Sequence, residues 1–135
     1  LKSDKNVSFI KEFSITSRLM ADKEYLKEAI SNLIDNSLKY SDEKVTVRLT
    51  AEEHGSSILI KVRDNGWGIP LKEQKRIFEK FQRGGLEYRK DNKVSGFGLG
   101  LNYVYKVITA MNGSVSLNSI EGEYSEFILT LPIKN

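Results

Sequence analysis

Two runs in which apolar and polar residues alternate constrain the fold of this chain more than any other feature. The first run contains Val45, Val47 and Leu49, and the second contains Ile58, Ile60 and Val62. Successive side chains of a strand point to opposite faces of a sheet, so each run predicts a strand with one buried face. The short polar stretch between them predicts a hairpin, and other segments must cover its apolar face.

Three segments have the spacing of amphipathic helices. The first begins after Asp22, a residue type that caps helices, and extends to about Tyr40. The second covers residues 71–81, and the third follows a glycine-rich run at 96–100 and ends at Asn112-Gly113. The predicted core-facing residues are Leu26, Ile30, Leu33 and Ser37 in the first helix, Ile77, Phe78 and Phe81 in the second, and Leu101, Val104, Ile108 and Met111 in the third.

Strands are also predicted at both ends of the chain. Residues 7–15 form the first, and the last two contain Val115 and Leu117, then Phe127, Leu129 and Leu131, around a turn near Glu121-Gly122. The sequence therefore predicts one α+β domain over residues 1–135. It is a two-layer sandwich with helices on one face of a mixed, mainly antiparallel sheet.

Composition excludes several classes of function. The chain has no cysteine, which excludes disulfides, thiolate metal sites and a cysteine nucleophile. Its single histidine, His54, is predicted in an exposed hairpin loop, which leaves little for a hydrolase triad or a histidine-rich zinc site. The net charge of +3 is mild and the basic residues are scattered among acids, so nucleic-acid binding is not expected. No apolar run approaches the roughly 18 to 20 residues that cross a bilayer.

One face of the first predicted helix is polar. Asn32, Asn36, Lys39 and Tyr40 follow the spacing i, i+4, i+7 and i+8 and lie beside the apolar stripe. On these residues alone the face is either the wall of a polar pocket or an ordinary solvated surface.

Two glycine-rich segments also suggest ligand contacts. Gly66 and Gly68 follow Asp64 at the end of a predicted strand, where the backbone could approach a ligand and the carboxylate could accept a hydrogen bond from an exocyclic amine. By itself this segment is equally an ordinary turn. The run at residues 96–100 precedes a helix, whose N–H groups favour anions such as phosphate.

The order of these segments resembles the ATP-binding domain of sensor histidine kinases, in the superfamily that includes gyrase, Hsp90 and the mismatch-repair ATPases. Four boxes carry the resemblance: residues 28–41 (EAISNLIDNSLKYS), 64–70 (DNGWGIP), 77–83 (IFEKFQR) and 96–101 (GFGLGL). They resemble the N box, the first glycine box, the F box and the second glycine box, and they occur in the family's order. The resemblance implies the Bergerat-type ATP-binding fold, with residues 82–95 as a lid.

The resemblance also implies which residues contact ATP and Mg²⁺. Asn36 would coordinate Mg²⁺, with Asn32 lining the same site and Lys39 meeting phosphate oxygens. Asp64 would bind the adenine amino group. The other implied contacts are Tyr40, Gly66, Gly68, Ile69, Phe81, Gly96, Gly98, Leu99, Gly100 and Leu101, with Arg83 as a candidate for steering the γ-phosphate.

Two positions refine what the resemblance implies. Gyrase-like ATPases carry a glutamate base one turn before the metal-binding asparagine, where this chain has Asn32, and an amide cannot take a proton from water. Phe97 departs from the small hydroxyl residue common between the second-box glycines, which removes a side-chain contact but not the backbone contacts.

The implied activity is transfer of the γ-phosphoryl group to a histidine on a separate dimerisation domain, because no such segment occurs in this chain. The implied partners are that domain and a downstream response regulator. The isolated domain is expected to be a cytoplasmic monomer without membrane contact, belonging to a membrane-bound parent. Three alternatives stay open: a serine kinase of the anti-sigma-factor type, a hydrolytic ATPase, and a pseudokinase scaffold.

Overall fold

The computed structural model describes residues 5–15, 21–82 and 98–133, which form five strands and three helices. The elements in chain order are β1 (Asn6–Ser14), α1 (Lys23–Lys39), β2 (Lys44–His54), β3 (Ser57–Asp64), α2 (Leu71–Gln82), α3 (Gly98–Ala110), β4 (Ser114–Ile120) and β5 (Tyr124–Pro132). The strands form one sheet in the order β1-β2-β3-β5-β4. β1 is parallel to β2 and the other neighbours are antiparallel, which confirms the predicted mixed sheet.

The predicted hairpin is present, but its strands are longer than the alternating runs indicated. β2 continues to His54, which pairs with Ser57, so the turn contains only residues 55 and 56. Gly55 adopts φ 61°, the left-handed conformation that such tight turns require. The prediction that His54 lies in a loop was therefore wrong, although its side chain is exposed as expected and contacts the Glu52 carboxylate at 3.1 Å.

The core lies between one face of the sheet and the helices. The sheet contributes buried residues from β2, β3 and β5 at a spacing of two, and α1 and α3 contribute Ala29, Leu33, Leu101, Val104 and Ile108. The buried stripe of α1 contains Ala29, Leu33 and Ser37, whereas Leu26 and Ile30 are only partly buried. The stripe thus includes Ala29, which the pattern of larger apolar residues did not indicate.

The start of α1 and the end of α3 lie where the sequence predicted them. The Asp22 carboxylate accepts hydrogen bonds from the backbone N–H groups of Glu24 at 3.0 Å and Tyr25 at 3.2 Å, as an N-cap should. At the end of α3, Asn112 adopts φ 64° and the Gly113 N–H donates to the Ile108 carbonyl at 2.9 Å. Within the described residues, no helix is both long and apolar enough to span a bilayer.

The strand predicted at residues 7–15 forms as β1, but its apolar side chains are not buried. Val7, Phe9 and Phe13 pair with residues of the buried face of β2, yet they are 41%, 45% and 61% exposed. Strands are about 4.8 Å apart and a helix is about 10 Å wide, so one helix covers about two strands. Since α1 packs on β2 and β3, the edge strand lies beyond its cover.

Candidate functional site

The polar face of α1 lies at the C-terminal half of that helix, next to the end of β3. Asn32 and Asn36 are half-buried and Lys39 is exposed. Tyr40 ends the helix, because its backbone (φ −107°, ψ 53°) leaves helical geometry while its N–H still donates to the Asn36 carbonyl at 3.0 Å. The polar face of α1 therefore lies between the buried core and the solvent-exposed edge next to the end of β3.

Asp64 is the last residue of β3, and its side chain is 7% exposed. Its Oδ2 accepts a hydrogen bond from the Ser37 hydroxyl at 2.7 Å, and its Oδ1 accepts one from the Gly66 N–H at 2.8 Å. Burial raises the pKa of this carboxyl, and the two hydrogen bonds partly oppose that rise. Each carboxylate oxygen keeps a free lone pair, so a ligand amine could still donate to Asp64.

The turn after Asp64 is held against α1 and against the β4–β5 turn. The Trp67 N–H donates to the Tyr40 carbonyl at 3.0 Å, and the Trp67 carbonyl accepts from the Gly122 N–H at 2.6 Å. A Cβ at position 66 would lie 2.6 Å from the Tyr40 carbonyl oxygen. A Cβ at position 68, where φ is +73°, would lie 2.2 Å from the Ile120 carbonyl oxygen. Both glycines are thus required for backbone segments to meet here.

Ile69 is fixed by side chains from α2 and β4. Its N–H donates to the Ser119 hydroxyl at 2.8 Å, and its carbonyl accepts from the Gln74 amide at 2.7 Å. The Ile69 side chain is 2% exposed and belongs to the core. Ile69 could therefore act on a ligand pocket only by supporting the position of Asp64 from the core side.

Aromatic side chains form the outer rim of the same region. The Tyr40 and Trp67 rings meet edge-on with centroids 6.2 Å apart, and the Trp67 indole N–H donates to Asp42 at 2.8 Å. The Lys39 ammonium lies 5.8 Å from the Tyr40 ring centroid. Burial raises the pKa of the Tyr40 phenol, which therefore stays neutral beside this cation.

The start of α3 contacts the polar face of α1. A Cβ at position 100 would lie 3.5 Å from the Asn32 Cβ and 3.8 Å from its Oδ1. Gly98 begins α3 and the buried Leu101 anchors its first turn, so the first turn of this helix lies beside Asn32. A helix N-terminus carries unpaired N–H groups and partial positive charge, which suits an anion.

The Asn36 carboxamide has the donor chemistry of a magnesium ligand. Its Nδ2 is buried without a hydrogen-bond partner among the described residues. The two ends of a carboxamide exchange by rotation, so the oxygen can occupy the same position. Mg²⁺ accepts amide and carboxylate oxygens and usually completes its shell with phosphate oxygens and water. Asn36 is therefore suited to bind a Mg²⁺ ion whose other ligands are mostly phosphate oxygens of a nucleotide.

Several predicted site residues lie outside the described part of the chain. These are Arg83, Gly96, the side chains of Phe81 and Leu99, Phe97, and the predicted lid after Gln82. Among the described residues, Tyr40, at the end of α1, contacts Lys39 and the Asp64–Ile69 segment with Gly66 and Gly68, and Asn32, one turn before Asn36 on the same helix, lies beside Gly100. Gly98 and Leu101 belong to the first turn of α3 with Gly100.

Two serines beside Asp64 were not predicted as site residues. Ser37 had been assigned to the apolar stripe of α1, and a hydroxyl at a core position is itself a signal that a buried polar partner exists. Ser125 is 6% exposed and pairs directly with Asp64 across β3 and β5. The alternation of Phe127, Leu129 and Leu131 extends back to Ser125, so its inward orientation could have been deduced from the sequence.

Residues 21–135 match the family of histidine kinase-, DNA gyrase B- and HSP90-like ATPases. The chain belongs to this family. Membership in this family of ATPases implies ATP as a ligand of the domain.

Named relatives of this family member are sensor kinases. It is 36% identical over 116 residues to the alginate biosynthesis sensor protein KinB of Pseudomonas aeruginosa, covering 86% of this chain and 18% of that protein. It is 34% identical over 115 residues to the sensor histidine kinase WalK of Bacillus subtilis, covering 84% of this chain and 18% of that protein. The chain thus spans about a fifth of these relatives.

Solved structures with the same fold include histidine kinase domains. The nucleotide-free catalytic domain of histidine kinase ThkA matches with a TM-score of 0.75 and 25% identity, covering 94% of this chain and 80% of that chain. Full-length ShkA in complex with AMPPNP matches with a TM-score of 0.73 and 26% identity, covering 96% of this chain and 26% of that chain.

Proposed function

We propose that this chain is the catalytic domain of a sensor histidine kinase. It binds ATP with Mg²⁺ and donates the γ-phosphoryl group to a histidine on a separate dimerisation domain. The observation that carries the proposal is the position of Asn32 beside Gly100 at the start of α3. The proposed phosphate end thus has an amide at the position where gyrase-like ATPases carry a glutamate base.

Adenine recognition is assigned to Asp64. The adenine amino group would donate to a carboxylate oxygen that Ser37 and the Gly66 N–H already orient. Because this carboxylate is buried, an amine that reaches it gains a charge-assisted bond in a poorly solvated setting. Tyr40 and Trp67 would border the base and sugar at the rim.

Phosphate binding is assigned to the start of α3 together with Lys39. The N–H groups around Gly98, Gly100 and Leu101 would donate hydrogen bonds to the phosphate oxygens, as helix N-termini do to anions. Gly96 and Leu99 are proposed to extend this cradle. Arg83 is proposed to steer the γ-phosphate, and Phe81 is proposed as a further nucleotide contact.

Asn36 would hold Mg²⁺ through its amide oxygen, and Asn32 would line the same site. When bound, Mg²⁺ neutralises charge on the phosphate oxygens. The part of this chain is to orient the phosphates between α1 and α3 so that the γ-phosphorus faces an incoming nucleophile.

The chemistry favoured here is transfer to an external nucleophile. The imidazole nitrogen lone pair forms the new bond to the γ-phosphorus while the bond to the bridging oxygen breaks, and ADP leaves with that electron pair. Asn32 cannot accept a proton, so water in the same position would receive no help from the side chain that gyrase-like ATPases use.

The partners follow from this chemistry. The phosphoacceptor would be a histidine-bearing dimerisation domain of the same parent protein, and a response regulator would receive the phosphoryl group afterwards. The domain is proposed to work in the cytoplasm as a monomeric unit of that parent, without contact to membrane or nucleic acid.

Calorimetry tests the nucleotide site. The chain should bind AMPPNP more tightly with Mg²⁺ than without it. Asp64→Asn should weaken binding under both conditions by about tenfold to 150-fold, because it removes a charge-assisted hydrogen bond of about 1.5–3 kcal/mol. Asn36→Ala should abolish only the gain from Mg²⁺. The assignment fails if neither variant differs from the parent or if millimolar AMPPNP does not bind.

Phosphotransfer tests the reaction. Incubation of the chain with ATP, Mg²⁺ and the parent's own dimerisation domain should give an acid-labile phosphohistidine. An acid-stable phosphoserine would instead identify a serine kinase, and rapid phosphate release by the chain alone would identify a hydrolytic ATPase.

A further inference from the structure

A hydrogen bond outside the assigned nucleotide contacts joins the two helices that form the phosphate end of the site. The Tyr103 hydroxyl on α3 donates to the Glu28 carboxylate on α1. Glu28 lies two turns before Asn36, and Tyr103 lies beyond the glycine box, so neither residue reaches the phosphates. The hydrogen bond between Tyr103 and Glu28 therefore has a role other than direct contact with the ligand.

The two helices run antiparallel, and their contacts follow one another in regular order. Gly100 meets Asn32 at the phosphate end. The next contact along the pair is Tyr103 with Glu28. The far end is a mainly apolar cleft lined by Asp22, Tyr25, Lys106, Val107, Ala110 and Met111. The hydrogen bond thus lies between the proposed phosphate end and this cleft.

The bond lies close enough to the phosphate cradle to control it. At 1.5 Å per residue, Tyr103 is about 4.5 Å along α3 from Gly100, and Glu28 is about 6 Å along α1 from Asn32. The apolar stripe of α3, which includes Leu101 and Val104, packs on α1 as well as on the sheet and shares the core with Ala29 and Leu33 of α1. A directional bond between the two helices adds a fixed distance between one point on each of their axes.

The hydrogen bond between Tyr103 and Glu28 is exposed to solvent, and the Tyr103 phenol is its donor. The hydrogen bond to the Glu28 carboxylate is the main cause that raises the pKa of Tyr103 to about 12. The phenol therefore keeps its proton at neutral pH and remains a donor. Bonds to a charged acceptor are shorter and stronger than neutral ones.

We propose that Glu28 and Tyr103 are positioning residues that set the register between α1 and α3, and so the distance from the asparagines to the phosphate-binding N–H groups. The inference rests on the proposed function. A misplacement of about 1 Å is enough to weaken a preorganised site strongly. Loss of this bond should therefore weaken the binding of the phosphates and leave the binding of adenine unchanged.

The test compares two ligands on the same protein. Calorimetry with AMPPNP·Mg²⁺ reports adenine and phosphate contacts together, whereas adenosine reports only the Asp64 end. Tyr103→Phe should weaken AMPPNP·Mg²⁺ binding about threefold to tenfold and leave adenosine affinity unchanged, as expected for one hydrogen bond to a charged group partly screened by solvent.

Variants of the acceptor check the same bond from α1. Glu28→Ala should reproduce the effect of Tyr103→Phe, and Glu28→Gln, which keeps an acceptor oxygen, should restore most of the affinity. The double variant Glu28→Ala with Tyr103→Phe should be no weaker than either single variant, because both remove one interaction. Tyr25→Phe is the matched control, because it removes a phenol hydroxyl from the far end of the same helix pair and leaves the Tyr103–Glu28 bond in place, so it should bind both ligands normally.

The outcomes separate this inference from the proposed function. Equal loss of adenosine and AMPPNP·Mg²⁺ affinity in Tyr103→Phe, or no loss of either, would overturn the positioning role. Additive losses in the double variant would do the same. Failure of the unsubstituted chain to bind AMPPNP·Mg²⁺ would overturn the proposed function itself, and the inference with it.

Discussion

The substitution Ser37→Ala removes one hydrogen bond from the buried Asp64 carboxylate, to which adenine recognition is assigned. The Ser37 hydroxyl donates to Asp64 Oδ2 at 2.7 Å, and both side chains are under 9% exposed. A longer contact to the Leu33 carbonyl, at 3.3 Å, is lost with it. The change leaves apolar packing of α1 almost intact, so its effect reports on the carboxylate.

The expected cost depends on the charge of Asp64. A hydrogen bond to a charged group contributes about 1.5–3 kcal/mol to stability, and one between neutral groups about 0.5–1.5 kcal/mol. At neutral pH, Ser37→Ala should therefore lower the free energy of unfolding by about 1.5–3 kcal/mol. Once Asp64 is protonated, the loss should fall to about 0.5–1.5 kcal/mol.

The sign of the pH dependence follows from the direction of the pKa shift. Burial raises the pKa of Asp64 above its ordinary value of 3.8, so this residue favours the folded state below that value and loses that contribution as pH rises through the folded pKa. The Ser37 hydrogen bond lowers the pKa and softens this loss. Without Ser37 the folded pKa moves further up, and the destabilisation grows as pH increases from about 3.8.

Urea denaturation at several pH values measures this difference, with unchanged m-values as the sign that only stability has changed. Ser41→Ala is the matched control, because Ser41 is also buried but donates to the neutral Leu38 carbonyl at 3.1 Å. Its cost should be independent of pH. If Ser37→Ala costs the same at acidic and neutral pH, the hydroxyl does not act on an ionised carboxylate and the reasoning is wrong.

Two further substitutions test the backbone that frames the site. Gly68→Ala should cost at least about 2 kcal/mol in thermal or urea unfolding, because φ is +73° and the added Cβ would meet the Ile120 carbonyl at 2.2 Å. Gly55→Ala, with φ +61° but open space around it, should cost only about 1 kcal/mol, and equal costs would contradict the steric argument. Asp22→Ala should lower stability by about 1 kcal/mol through loss of the N-cap while AMPPNP affinity stays unchanged, and a loss of affinity would link the far end of α1 to the site.

Local signals in the sequence were enough to predict most of the helices and strands. The alternation at Val45–Val47 and Ile58–Ile60 predicted the central hairpin, and Asp22 and Gly113 marked helix ends that the structure confirms. Asn32, Asn36 and Lys39 were grouped by helical spacing alone. These features depend on contacts a few residues apart, which spacing and residue type report directly.

Features that depend on distant contacts were not accessible in the same way. Ser119 and Gly122 bind the turn after Asp64 across some fifty residues, and nothing at either position indicates that partner. The exposure of Phe9 and Phe13 depends on how far α1 extends over the sheet, which the alternation in β1 cannot show. His54 was misassigned because the tight turn at Gly55 lengthened both strands beyond their apolar runs.

The attachment of the Asp64 turn to the last hairpin has a consequence for the order in which the protein acquires its site. Trp67 and Ile69 are held by groups at positions 119–122, and Asp64 pairs with Ser125. During synthesis the N-terminal part of a chain emerges first, so the turn is made long before the segment that fixes it. The proposed adenine end is therefore completed only when β5 closes the sheet. A chain that stops before β5 would carry the four sequence boxes and still lack a pocket, so nucleotide binding reports that the whole domain has folded.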